Sequence, residues 1–128
     1  MRKNTRKKTA ASEQYSLTDI VIDSIQDKKG EEIVVLNLEH VPDAITDVFI
    51  ICHADNTTQV RAIAHHVLET VKEKWGITPF SKEGFFNAEW ILLDYLNTVV
   101  HIFYKDKRTF YQLEELWNDA QIIKIANS

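Results

Sequence analysis

The chain has a single cysteine, Cys52, so an internal disulfide is excluded. It has only three glycines, Gly30, Gly76 and Gly84, and they lie far apart. No phosphate-cradling loop of the Walker or Rossmann kind can be built from them. The two prolines and modest glycine content argue against a disordered or fibrous chain. No apolar run approaches the roughly 18 residues that a membrane-spanning helix needs. The basic amino-terminal residues are not followed by an apolar core, so they do not read as a secretory signal. The expected location is cytoplasmic, with an organelle left open. Metal-ligand spacing is also missing: His40, His53, His65, His66 and His101 include no i, i+4 pair on one helical face.

What is present describes one compact unit. With 128 residues and 45% hydrophobic side chains, there is enough material for a single core. Charge is unevenly distributed. Residues 1–16 carry Arg2, Lys3, Arg6, Lys7 and Lys8 against Glu13 alone, which leaves the remainder with ten basic and eighteen acidic residues, a net of −8. The tail, residues 1–16, has no hydrophobic periodicity and is expected to be disordered, with residues 17–128 forming the domain. Such a basic arm can contact phosphate, or it can be a solvated extension without a partner.

Ser16 is placed to cap a helix in which Leu17, Val21 and Ile25, with Ile20 and Ile22, form the buried stripe, and Gly30 ends it. Ile33 to Leu38 is rich in β-branched residues and predicts a strand, broken at Val41-Pro42-Asp43. Val48 to Cys52 is a second strand without polar side chains, expected to be covered on both faces. Cys52 within it reads as a buried core thiol. A longer helix starts at Asn56, with Gln59 as its capping-box partner. It continues through Val60, Ile63, Ala64, Val67, Leu68, Val71 and Trp75 to Gly76. Phe80 to Gly84 is extended or turn. Trp90–Tyr95 and Val99–Tyr104 read as a hairpin across Leu96-Asn97-Thr98, and a last helix from about Thr109 presents Phe110, Leu113, Leu116 and Trp117. This order predicts an α/β fold, a mixed β-sheet with packing helices.

No nucleophile elbow or comparable arrangement points to catalysis. Asp94 is read as a turn-former accepting backbone N–H groups, as a partner-binding acid, or, least of all, as a general base. Alternation places Trp90, Leu92 and Asp94 on one side of the hairpin and Ile91, Leu93 and Tyr95 on the other, with Val99, His101 and Phe103 opposed to Val100, Ile102 and Tyr104. Both faces are mostly apolar. One must lie on helices; the other, where only partly covered, forms an apolar patch with polar handles, suited to binding a protein. Trp90, Tyr95, Tyr104, Arg108 and Tyr111 are side-chain types common at binding hot spots. The alternative is that the aromatics fill the core, a reading favoured for Phe110 and Trp117 and evenly balanced for Trp90.

The combination of Glu83-Gly84, Trp90 to Tyr95, Val99 to Phe103 and Arg108-Thr109-Phe110-Tyr111-Gln112-Leu113-Glu114-Glu115-Leu116-Trp117 resembles the carboxy-terminal signature of the ribosome silencing factors, or Iojap family. Lys28-Lys29-Gly30 with Ile33 to Leu38, Ile45 to Cys52, and Gln59-Val60 with Ile63-Ala64 fit as well, so the resemblance spans about residues 17 to 118. It implies a fold similar to nucleotidyltransferase-like domains without their catalytic residues; the glycine-serine loop and paired Asp-x-Asp are absent. It also implies a non-enzymatic protein with no cofactor or metal, one that binds large-subunit ribosomal protein fourteen and keeps the subunits apart, lowering translation when nutrients are scarce. By the same resemblance Trp90, Leu92, Asp94, Tyr95, His101, Arg108 and Tyr111 form the docking surface or its support. A homodimer of the free protein, a ribosomal RNA contact by the tail, and a nucleotide-binding or nucleotidyltransferase-type enzyme remain open alternatives. Two loops depart from the family pattern: Ala54-Asp55-Asn56-Thr57 and the turn Leu96-Asn97 both lack the usual glycine.

Overall fold

The computed structural model describes residues 16–108 and 119–126. The tail before Ser16 and the helix expected from Thr109, with Phe110, Tyr111, Leu113, Leu116 and Trp117, lie outside the described residues.

Ser16 has extended backbone, and its hydroxyl oxygen accepts the Asp19 N–H at 3.1 Å at the start of helix α1, Leu17–Asp27. Such a cap contributes about 1 kcal/mol. The helix ends differently from the expectation. Lys29, not Gly30, takes the left-handed turn, at φ +64°. Gly30 is needed for space instead: a Cβ there would stand 2.3 Å from Ile25 Cγ2.

Helix α2, Thr57–Trp75, is capped by Asn56, whose side-chain oxygen accepts the Gln59 N–H at 2.8 Å. The expected reciprocal capping bond is not made. Gln59 donates its side-chain amide to the Lys28 and Lys29 carbonyls, at 3.0 and 3.4 Å. The acceptors left over where α1 ends are thus satisfied by α2.

Among the described residues six strands form one sheet: β1 Glu31–Asn37, β2 Val48–Ala54, β3 Ser81–Glu83, β4 Trp90–Asp94, β5 Thr98–Tyr104 and β6 Gln121–Lys124. Their order across the sheet is β3-β4-β5-β2-β1-β6. The central pair β2/β5 is parallel and the other neighbours are antiparallel, which makes the sheet mixed, as the element order predicts. Strand β6 has no counterpart in the sequence reading; its four residues are too few to show a period, and all are exposed.

Both helices lie on one face of this sheet. Ile20, Val21 and Ile25 of α1 and Val60, Ile63, Val67 and Val71 of α2 meet Ile33, Val35, Ile50, Cys52, Ile91, Leu93, Val100 and Ile102 in the main core. Cys52 is fully buried there, and burial pushes its thiol up to about 12, so it is an inert hydrophobe as expected. Among the described residues no helix is long and apolar enough to cross a membrane.

Candidate docking surface

Side chains alternate along a strand, so the register fixes which residues share the face away from the helices. Trp90 stands opposite Phe103, and Phe103 opposite His53. Leu92, His101, Ile51 and Val34 form the next row, and Asp94, Val99, Phe49 and Leu36 the third. The middle of this face is closed. Val34, Leu36, Leu38, Ile51 and Phe103 are buried as a second cluster, with Val41, Ala44, Phe49, Trp90 and Ala120 packed against it. Among the described residues, Trp90, Leu92 and Asp94 on the β4 side of this face are partly buried, as is Phe49 of β2.

The Trp90 indole N–H donates to His101 Nδ1 at 3.0 Å. An indole only donates, so the His101 proton is on Nε2. The Trp90 ring stacks near His101 and Phe103, with centroids 5.8 and 5.3 Å away, and Phe49 meets the imidazole edge-on at 4.4 Å. His101 is 3% exposed, and burial pushes its pKa down to about 4. It is neutral at pH 7 and supports Trp90 from beneath; it is not itself a contact surface.

Asp94 is the turn-former that the sequence favoured: its carboxylate accepts the Leu96 N–H at 2.8 Å. A general-base role has no support in that geometry. The loop before β4 crosses tightly over the strand. Gly84, at φ +90°, has the Trp90 carbonyl where its Cβ would stand, 2.0 Å away, so only glycine fits.

Two of the sequence-predicted residues lie elsewhere. Tyr95 belongs to the helix-side core, 6% exposed, with its hydroxyl unpartnered among the described residues and its pKa raised by burial to about 12. One step of the pleat separates it from Asp94 and turns it to the opposite side. Arg108 is at the β1/β2 corner. Its guanidinium donates to the Glu32 carbonyl at 2.9 Å and to His53 Nδ1 at 2.8 Å. Glu32, at φ +49°, lies where the β1/β2 register shifts, between Glu31 and Val34. His53 Nε2 lies 3.3 Å from a Glu31 oxygen without hydrogen-bond alignment, and burial, then the Arg108 charge, holds its pKa below the usual value. Arg108 therefore braces two strands. Tyr111 lies outside the described residues.

Sequence reasoning missed two residues. Ile45 is 92% exposed and Leu96 61% exposed, at the end of the sheet where Asp94 stands. Their loops are pinned together: the buried Thr46 hydroxyl donates to the Leu96 carbonyl at 2.8 Å, and the Asp47 and Val48 N–H groups share the Asn97 carbonyl. The carboxylates of Asp43 and Asp47, both exposed, flank Ile45 in the chain. The available signal was Leu96, a leucine in a turn that favours glycine; its φ is +78°.

Of the other histidines, His40 and His65 are exposed, and His66 pairs with Asp27 at 3.1 Å. Among the described residues no three His, Cys, Asp or Glu side chains are grouped to hold a metal.

The model of one protein family, described as ribosomal silencing factor during starvation, matches residues 9–128. The Ribosomal silencing factor RsfS of Halalkalibacterium halodurans is 40% identical over 109 residues, covering 85% of this chain and 92% of that protein. The Ribosomal silencing factor RsfS of Bacillus subtilis is 39% identical over 109 residues, covering 85% and 91%. A crystal structure of a Bacillus halodurans protein superposes with a TM-score of 0.73 at 37% identity, covering 85% of this chain and 97% of that one.

Proposed function

The chain belongs to the ribosomal silencing factor family, and from that premise we propose that it docks on the large ribosomal subunit, through large-subunit ribosomal protein fourteen, and blocks subunit joining. It is a ribosome-associated negative regulator of translation that works by occupancy, without catalysis or a cofactor. The contact is made by the β4 side, Trp90, Leu92 and Asp94, continued by Leu96 and Ile45. His101 supports it from within.

One observation carries the reading: an exposed apolar pair, Ile45 and Leu96, held by hydrogen bonds between loops and accompanied by the carboxylates of Asp43, Asp47 and Asp94. An apolar centre with an acidic rim complements a basic ribosomal protein. An ordinary interface, about 800 Å² per partner, suffices to exclude the small subunit sterically. The basic tail reaches ribosomal RNA in the same complex, the free protein pairs with itself, and the setting is the cytoplasm. The fold is of nucleotidyltransferase-like type with its chemistry absent, so titration with ATP or CTP plus magnesium should give no heat of binding.

Co-sedimentation with purified large subunits tests the docking. Wild type should pellet with them and, by light scattering, slow their joining to small subunits. Trp90→Ala and the surface pair Ile45→Arg/Leu96→Arg should each bind about tenfold or more weakly. A wild-type chain left in the supernatant at moderate salt sinks the proposal. Folded variants that pellet like wild type would move the site elsewhere.

A further inference from the structure

We infer that the trough between helix α2 and the edge strand β3 is a second binding site, built for an extended peptide that carries acidic side chains among apolar ones. β3 is the outermost strand on its side of the sheet, and among the described residues no strand lies beyond it. Its pairing begins one residue early, as the Phe80 N–H donates to the Asp94 carbonyl at 2.7 Å. Between this edge and α2 lies a trough of about 540 Å³, with Leu68, Glu69 and Lys72 on the helix wall and Pro79, Phe80 and Lys82 on the strand side. Lys82 also borders a second depression of about 460 Å³, which Arg61, His65 and Phe85 line.

From Arg61 to Lys72 the helix wall runs roughly 16 Å, the length of about five residues of extended chain. An open strand edge beside a helix is the geometry in which peptides add as a further strand, with side-chain pockets on alternate positions. The floor is apolar and unfinished: Phe80 is 73% exposed and Leu68 half-buried.

Charge selects the occupant. Three of the ten basic residues after position 16, Arg61, Lys72 and Lys82, meet here, against Glu69 and Glu83, in a body whose net charge is −8. Arg61 is held in place by the Phe85 and Phe86 carbonyls, and the Lys82 ammonium stands 5.9 Å from the Phe85 ring centroid. The local count, three cations against two carboxylates, is positive in a body that is negative overall. Three cations interrupted by two carboxylates neutralise too few phosphates to hold a single-stranded nucleic acid well. They match a few peptide carboxylates. This trough and the Ile45/Leu96 surface thus have opposite sign and recruit different partners.

Fluorescence anisotropy on the full chain tests this, with a short labelled peptide alternating Asp or Glu with Val or Phe. Three comparison probes are the same peptide with lysine for each acid, the same peptide N-methylated on alternate amides, and labelled oligouridylate. Saturable binding of the acidic peptide is expected, about tenfold weaker for Lys72→Glu/Lys82→Glu and abolished by methylation. Both lysines are exposed, so the double variant keeps the wild-type circular dichroism spectrum. No saturable binding, equal binding of the lysine peptide, indifference to methylation, or tighter binding of oligouridylate overturns the inference.

Discussion

His101 lies under Trp90 with its imidazole buried, and charging it would take the acceptor away from the indole N–H. Its folded-state pKa is about 4 against the ordinary 6.5. Between those values the unfolded chain binds a proton that the folded chain refuses, so stability is complete above pH 6.5 and is lost as pH falls toward 4. The loss from this one group is roughly 3 kcal/mol. His53, lowered mainly by burial, acts in the same direction. Urea denaturation at pH 7.5 and pH 4.5 should show a large acid loss in wild type and a smaller one in His101→Phe. Equal losses in the two would exonerate His101. At this scale the sequence was readable where neighbours are uniform: Cys52 within an apolar strand is buried as expected. Tyr95 was not readable, because an aromatic beside an aspartate looks the same whether it turns outward or into the core.

The element that best separates local from tertiary causes is the turn between β4 and β5. Asp94 caps it, as its residue type suggests, yet Leu96 holds a left-handed backbone that costs a leucine about 1 to 2 kcal/mol. Glycine would remove that strain while giving back some chain entropy in the unfolded state. Leu96→Gly should therefore stabilise by about 0.5 kcal/mol in thermal melts while weakening large-subunit binding. A destabilised variant would mean that the leucine packs more than its exposure indicates. Strands and helices with strong periods, α1, α2, β1, β2 and the hairpin, were all legible, down to the Ser16 and Asn56 caps. Gln59 was misread because a capping glutamine and one bridging to a neighbouring helix have the same sequence spacing. Arg108 was misplaced because its partners, Glu32 and His53, are remote in sequence.

For the molecule as a whole, the separation of a basic tail from an acidic body is visible in composition, but which surface carries which sign is not. That assignment needs the register, which collects Arg61, Lys72 and Lys82 on one flank and sets Asp94 at another end. Encounter with a basic ribosomal partner should be steered by the acidic end, so its association rate should fall several-fold as salt rises through the physiological range, read by stopped-flow on wild type. A chain starting at Ser16 should show a changed slope, because the tail's contact with ribosomal RNA is lost, and an unchanged slope would make the tail idle; a rate indifferent to salt in both forms would remove electrostatic steering altogether.

The sheet order has one further implication, for how the chain is made. Strand β1 gains its neighbour β2 soon after synthesis, but its other neighbour, β6, is encoded far downstream, Asn37 lying opposite Gln121. Throughout that interval the nascent polypeptide displays a bare flank of β1, with backbone groups free to pair with whatever strand is at hand. Among the described strands the last to emerge is thus the clasp of the first, and a product terminated before Gln121 would leave that flank permanently unguarded.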